Sequence, residues 1–267
     1  MKRVGVIGDP VKHSRSPVIF AHWFERYHVD AEYCLIPIEP SGLEAFFADF
    51  APWTGVNVTL PHKEAAARFV TAEGAGERLG VVNTIWRDGE TLRGTSSDGM
   101  GFVASLNAAA PDWRGHDGPC VIIGAGGASI AVADALAAEG RRVIVANRTP
   151  ARAEAIAART GAETYPLADI AEVLTEAALL VNATSMGMNG QPPLPLDLAP
   201  LPAHAVVADI VYNPLRTPLL EAADARGLKT VDGLGMLLHQ ATAGFEKWFG
   251  HRPAVDEELR AKVVRTL

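Results

Sequence analysis

Three clusters of residues in this sequence have the types and spacing to do chemistry. The first is Asn57-Val58-Thr59-Leu60-Pro61-His62-Lys63, which sets polar side chains and an amine at the end of an apolar run. A lysine partly withdrawn from water has a lowered pKa and can pass a proton in either direction. Hydride reduction of a carbonyl needs such a group, because the oxygen takes on alkoxide character as the hydride arrives. Asp98 is the candidate carboxylate to orient the lysine, at the cost of raising its pKa again. Lys63 also opens the stretch Lys63-Glu64-Ala65-Ala66-Ala67-Arg68-Phe69, an exposed helix in which it would be an ordinary solvated charge. Spacing alone does not choose between these two readings.

The second cluster is Gly124-Ala125-Gly126-Gly127-Ala128, between an apolar strand from Cys120 and an alanine-rich helix that leads to a second strand ending at Asn147. That βαβ order seats a dinucleotide pyrophosphate on a helix N-terminus. Gly124 permits the tight turn, Gly126 admits the phosphates, and Ser129 is the small residue where helix packs on strand. A bare glycine turn also ends βα units that bind nothing, so the residues after the second strand carry more weight. An NAD site expects an acid about 20 residues past the glycines, to hold the ribose hydroxyls. This chain has Asn147, Arg148 and Thr149 there, with Arg152 one turn on. A carboxylate would repel a 2′-phosphate and a guanidinium pairs with it, so the tip predicts NADP(H).

The third cluster is Ser14 and Ser16 with Pro17, just after the first strand. Hydroxyls and free N–H groups at a helix start suit a carboxylate. The segment taken alone favours a plainer reading, a helix N-cap with proline at N1.

These clusters need a scaffold of alternating strands and helices. The first hundred residues read as strands at Arg3–Gly8, Glu32–Ile38 and Gly55–Leu60, with helices between them. Val81–Thr95 reads as two strands about an Asp88-Gly89 turn. From Cys120 the strands are short apolar runs ending in polar residues, as parallel strands are when a ligand lies at their carboxyl ends. The prediction is an α/β protein of two domains. Residues 1–100 form a mixed α/β sheet domain for substrate and 101–234 a Rossmann-type NADP domain, while helices in 235–267 return to pack on the first. The turn-rich segment Pro111–Pro119 reads as the boundary.

Composition narrows the partners. A net charge of −7 with scattered basic residues argues against nucleic acid. No apolar run reaches the roughly 18 residues of a membrane span. The opening Met1–Pro10 enters a strand at once, without the apolar segment of a signal peptide. Two cysteines, Cys34 and Cys120, fit a reducing cytoplasm, and the eight histidines show no metal-ligand spacing, so no metal is expected. Oligomeric state is not legible in the pattern, and a homodimer stays open.

Taken together, the motifs resemble those of the shikimate dehydrogenase family. The matching segments are His13–Pro17, Asn57–Lys63, Val81–Thr84, Asp98-Gly99, Gly124–Ala128, Asn147–Arg152, Asn182–Met188, Asp209–Pro214 and Asp232–Ala241, in the family's order over nearly the full length. The resemblance implies an NADP-dependent enzyme of aromatic amino-acid biosynthesis that reduces 3-dehydroshikimate to shikimate. It implies that Ser14 and Ser16, with the hydroxyl of Tyr212, hold the substrate carboxylate. Thr59, Asn83, Asp98 and Gln240 would contact the ring hydroxyls, and Lys63, with Asp98 beside it, would be the acid/base group. Gly124, Ala125, Gly126, Gly127 and Ala128 would cradle the pyrophosphate. Asn147, Arg148, Thr149 and Arg152 would read the 2′-phosphate, with Ile210 and Gly233 along the nicotinamide half.

One departure bears on substrate choice. Where the family usually has Asn-Thr before the aspartate, this chain has Ser96-Ser97. Ser97 keeps a hydroxyl, whereas Ser96 loses an amide with its two donors and an acceptor. A water filling the gap is one explanation and altered preference among ring substrates is the other. The helix after Pro17 also lacks the family's frequent His-Asn pair, with less expected consequence. Two alternatives follow: a quinate/shikimate dehydrogenase paralogue, and a non-catalytic NADP-binding regulator that would have no need to keep Lys63, Asp98, Asn83 and Gln240 together.

Overall fold

Runs of apolar residues too short for helices pair here into two six-stranded sheets. A computed structural model describes residues 1–267. Its strands are β1 (Lys2–Gly8), β2 (Ala31–Pro37), β3 (Gly55–Val58), β4 (Thr71–Ala72), β5 (Thr84–Asp88), β6 (Thr91–Thr95), β7 (Cys120–Ile123), β8 (Val143–Asn147), β9 (Glu163–Pro166), β10 (Leu179–Asn182), β11 (Val206–Asp209) and β12 (Lys229–Val231). The chain divides into two units, Met1–Ser97 with Gln240–Thr266, and Asp98–His239. The change therefore falls at Asp98, and the turn-rich Pro111–Pro119 lies inside the second unit, with a 3-10 turn at Pro111–Gly115 that buries Trp113.

The sheet of the first unit has the order β2-β1-β3-β5-β6-β4 and is mixed, with β3/β5 and β5/β6 antiparallel. Ile7, Val56, Val58 and Ile85 pack with Phe47 and Phe50 into one core cluster. A second cluster is aromatic. Phe20 and Trp23 of the helix Ser16–Arg26 meet Phe245 and Trp248 of the helix Gly233–Phe249 with ring centroids 5.3–6.2 Å apart. Trp248 also donates its indole N–H to the Ile85 carbonyl (2.9 Å). From Gln240 on, the C-terminal helices thus belong to the first unit's core.

The second sheet is parallel throughout, in the order β12-β11-β10-β7-β8-β9. Chain order reverses direction between β7 and β10, which is the Rossmann arrangement and its ligand-binding switch point. Every residue of β7, β10 and β11 is buried, as in a sheet covered on both faces. No helix is long and apolar enough to cross a membrane.

Sequence reading misses two edge strands and shifts one turn. β4 has two residues and follows a helix that ends sooner than its alanines suggest, at Ala66, before a 3-10 turn. β9 is mostly exposed and carries no apolar run to signal it. In the hairpin Asp88 pairs with Thr91, so the two-residue loop is Gly89-Glu90, with Gly89 at φ 60°.

Candidate active site

The turn after β7 is built around Gly124. Its φ is 112°, and a Cβ there would lie 2.9 Å from the Ala183 carbonyl oxygen. Its N–H donates to Ala146 O (2.8 Å), which ties the turn to the end of β8. Gly126 donates its N–H to Ser129 Oγ (3.1 Å), and the fully buried Ser129 donates to Ala183 O (3.5 Å). The helix Gly127–Ala138 then runs from a positive N-terminal end. A Cβ on Gly126 or Gly127 would meet nothing within 4 Å, so open space lies beside this turn. An anionic pyrophosphate fits that setting.

At the end of β8, Asn147 Nδ2 donates to Thr149 O (2.9 Å), closing the turn that starts the helix Pro150–Thr160. Arg148, Thr149 and Arg152 are exposed, and no acid lies between Asn147 and Arg152. Two guanidinium-bearing residues on an acid-free tip fit a phosphate on the ribose.

The ends of β10 and β11 hold a network that sequence reading overlooks. Asn182 and Asp209 are register partners. Asp209 Oδ1 accepts from Asn182 Nδ2 (3.0 Å) and Val211 N–H (2.9 Å), and its Oδ2 accepts from the Thr217 hydroxyl (2.7 Å). Burial pushes the Asp209 carboxyl above its ordinary pKa, against the lowering effect of those bonds. The one signal in the sequence was that both apolar strands end in a polar residue. This network shapes the segment that carries Ile210 and the half-buried Tyr212. Gly233 donates its N–H to Val211 O (3.3 Å), and a Cβ on it would lie 2.3 Å from Ile210 O, so only glycine allows this approach. Asp209→Ala would leave three buried donors without their acceptor. We expect the substitution to lower unfolding stability by about 3 kcal/mol, read by urea titration, and a loss under 1 kcal/mol would contradict this account.

In the first unit, Ser14 donates its hydroxyl to Ser16 Oγ (3.2 Å), and Ser16 N–H donates to Ser14 Oγ (3.3 Å). Arg15 holds the N-cap position of the helix and no side chain caps it, so the simple serine-cap reading does not describe this turn. Lys63 is half-buried and heads the short helix Lys63–Ala66. Its carbonyl accepts from Val82 N–H (3.0 Å), and the turn before it is closed by His62 N–H on Thr59 O (3.0 Å).

Asn83 is buried and fully oriented. Its Oδ1 accepts from Ser97 N–H (2.8 Å), the Ser97 hydroxyl (3.0 Å) and the Thr84 hydroxyl (3.0 Å), while its Nδ2 donates to Gln240 Oε1 (3.3 Å). The structure therefore brings together Asn83, Gln240 and Ser97, the residue standing for the family's threonine. Asp98 follows at once, buried, as the first residue of the helix Asp98–Ala109. No group of three or more His, Cys, Asp or Glu side chains is placed to hold a metal ion.

Comparison with known proteins gives the same picture. The shikimate dehydrogenase substrate binding domain matches residues 6–85, shikimate / quinate 5-dehydrogenase matches 112–189, and the shikimate 5'-dehydrogenase C-terminal domain matches 233–257. The chain is 48% identical to shikimate dehydrogenase (NADP(+)) of Azorhizobium caulinodans, over 100% of this chain and 97% of that protein. Among solved structures, shikimate 5-dehydrogenase of Thermus thermophilus in complex with NADP(H) and shikimate aligns with TM-score 0.86 and 36% identity, covering 100% of both chains. Quinate dehydrogenase from Corynebacterium glutamicum in complex with NAD aligns with TM-score 0.87 and 29% identity, over 99% of each chain. Motif order, the two sheets and full-length identity converge, and the chain belongs to the shikimate dehydrogenase family.

Proposed function

We propose that this protein is an NADP-dependent shikimate dehydrogenase, an oxidoreductase that reversibly reduces 3-dehydroshikimate to shikimate in aromatic amino-acid biosynthesis. The observation that carries the reading is the acid-free tip Asn147–Arg152 on a Rossmann sheet in a chain that also holds the oriented Asn83–Gln240 pair. Relatives of about the same length carry the same name at 48–50% identity.

Bound NADPH supplies the hydride. Lys63 gives a proton from Nζ to the carbonyl oxygen during reduction and takes it back during oxidation, with Asp98 as the carboxylate of the pair. Ser14, Ser16 and Tyr212 hold the substrate carboxylate, and Thr59, Asn83, Asp98 and Gln240 bond the ring hydroxyls. Gly124 to Ala128 receive the pyrophosphate, Asn147, Arg148, Thr149 and Arg152 the 2′-phosphate, and Ile210 and Gly233 border the nicotinamide. The two free cysteines agree with a reducing, cytoplasmic site of action. This reading takes neither nucleic acid nor membrane as a partner and is compatible with a homodimer.

Ser96, buried where the family has asparagine, keeps a quinate-tolerant enzyme as the second reading. A kcat/KM panel of shikimate and quinate against NADP+ and NAD+ tests both. We expect shikimate with NADP+ to lead. Quinate within tenfold of shikimate would favour the second reading, and tight NADPH binding without turnover of either compound would leave only a regulator.

A further inference from the structure

Asn182 ends β10 wholly buried, and every hydrogen-bonding position of its side chain is filled. Its Oδ1 accepts from the Thr184 N–H (3.1 Å) and the Thr184 hydroxyl (2.7 Å). Its Nδ2 donates to Met186 O (3.0 Å) and to Asp209 Oδ1 (3.0 Å). A backbone N–H can only donate and a backbone carbonyl can only accept, so these partners admit one orientation of the amide. Three of the four bonds shape the loop after β10, and the fourth crosses to the end of β11.

From there the connections run on to the residues proposed to border the nicotinamide. Val211 N–H donates to the same Asp209 oxygen (2.9 Å), and Gly233 N–H donates to Val211 O (3.3 Å). Ile210 N–H donates to the Asn182 backbone carbonyl (3.0 Å). The far ends of the two loops are joined as well. Asn189 donates its N–H to Asn213 O (3.1 Å) and its Nδ2 to Asn213 Oδ1 (2.8 Å). The loops after β10 and β11 are thus pinned together at base and at tip. Both leave the carboxyl ends of parallel strands, where an open α/β sheet takes its ligand. A valine would fill the end of this buried strand as well. What the amide adds is a fixed geometry for two loops, strong while its bonds are complete and costly when they are cut.

We infer that Asn182 is a positioning residue for the nicotinamide: together with Asn189 at the tip, it locks the two loops into one wall and so holds Ile210 and Gly233 where the ring is to lie. This rests on the cofactor roles proposed above, since Asn182 acts only through residues that border the ring.

Adenosine 2′,5′-bisphosphate carries the phosphates of the adenosine half and no nicotinamide, so it reports the other end of the same site. Asn182→Ala should weaken NADP+ binding about tenfold, the scale of one well-made hydrogen bond. The Kd of adenosine 2′,5′-bisphosphate should stay native, both ligands being measured by isothermal titration calorimetry. A merely structural role would lower the stoichiometry of binding without separating the two ligands. Native NADP+ affinity, or equal weakening of both ligands, overturns the inference. Asn189→Ala cuts only the exposed side-chain bond at the tip and should separate the ligands by about threefold. Failure to separate them there overturns the inference even if Asn182→Ala does not fold. Native protein that binds neither nucleotide overturns the functional reading and the inference together. Native turnover of shikimate with NADP+, beside an Asn182→Ala protein of unchanged NADP+ affinity, overturns the inference alone.

Discussion

Lys63→Ala will oxidise shikimate about a thousandfold more slowly than the native protein, in the middle of the range for losing a general acid–base group. The fall should lie in kcat, with KM for shikimate changed far less, because the serines and the Asn83–Gln240 pair stay in place. The neighbouring imidazole does not substitute for the amine. The His62 ring, next in the chain, is held at the Ile38 carbonyl (2.6 Å) and is buried. Lys63→Arg should not rescue, since a guanidinium does not release its proton near neutral pH. The fold should tolerate both changes, because the local anchor is the Lys63 backbone carbonyl under Val82 N–H. Steady-state rates with shikimate and NADP+ decide it, and retention of native kcat in Lys63→Ala would remove Lys63 from the mechanism.

The second large effect concerns the cofactor. Arg148→Ala will raise KM for NADP+ about thirtyfold while leaving KM for NAD+ unchanged, the loss expected for a charge-assisted pair to a phosphate. Arg152→Ala in addition should carry the change further. Because Arg148 and Arg152 are exposed, the preference for NADP+ should weaken as salt is raised, whereas the hydrophobic core is indifferent to it. Equal changes in KM for both nucleotides would mean that the tip supports the fold without reading the phosphate.

What was legible in the sequence depended on how local its cause is. The Gly124 turn needs a positive φ and a close approach, which residue types announce by themselves. The phosphate tip is similar, since Asn147 to Arg152 are contiguous. The Asp209 network is not, because Asn182 and Asp209, 27 residues apart, come together only through the register of β10 with β11. Tyr33, whose hydroxyl donates to Asn57 Oδ1 (2.9 Å), is less legible still. It pairs with Val4 on one side of β1, while Asn57 pairs beside Val6 on the other, so their bond spans a strand that neither belongs to. No periodicity in β2 could have announced it. Strands β4 and β9 escaped for the opposite reason: an edge strand with little to bury carries little hydrophobic pattern.

Ser97's hydroxyl also narrows the meaning of the Ser96-Ser97 departure. Its bond to Asn83 Oδ1 (3.0 Å) needs only an oxygen and a proton, which serine provides as well as threonine. Any shift in ring preference therefore falls to Ser96 alone, and Ser96→Asn is the variant to place in the shikimate and quinate panel.

The aromatic cluster that Phe245 and Trp248 complete has a consequence for biosynthesis of the chain itself. Synthesis runs from residue 1 onward, yet the first unit lacks part of its core until Gln240–Thr266 have left the ribosome. The second unit, contiguous from Asp98 to His239, can fold before that. Domains usually mature in the order in which they are made. Here the one begun first is finished last, and Phe20 and Trp23 wait with an unfilled apolar face while the whole nucleotide unit is translated. Released chains that end at His239 should hold a protease-resistant second unit and a first unit that is still digested.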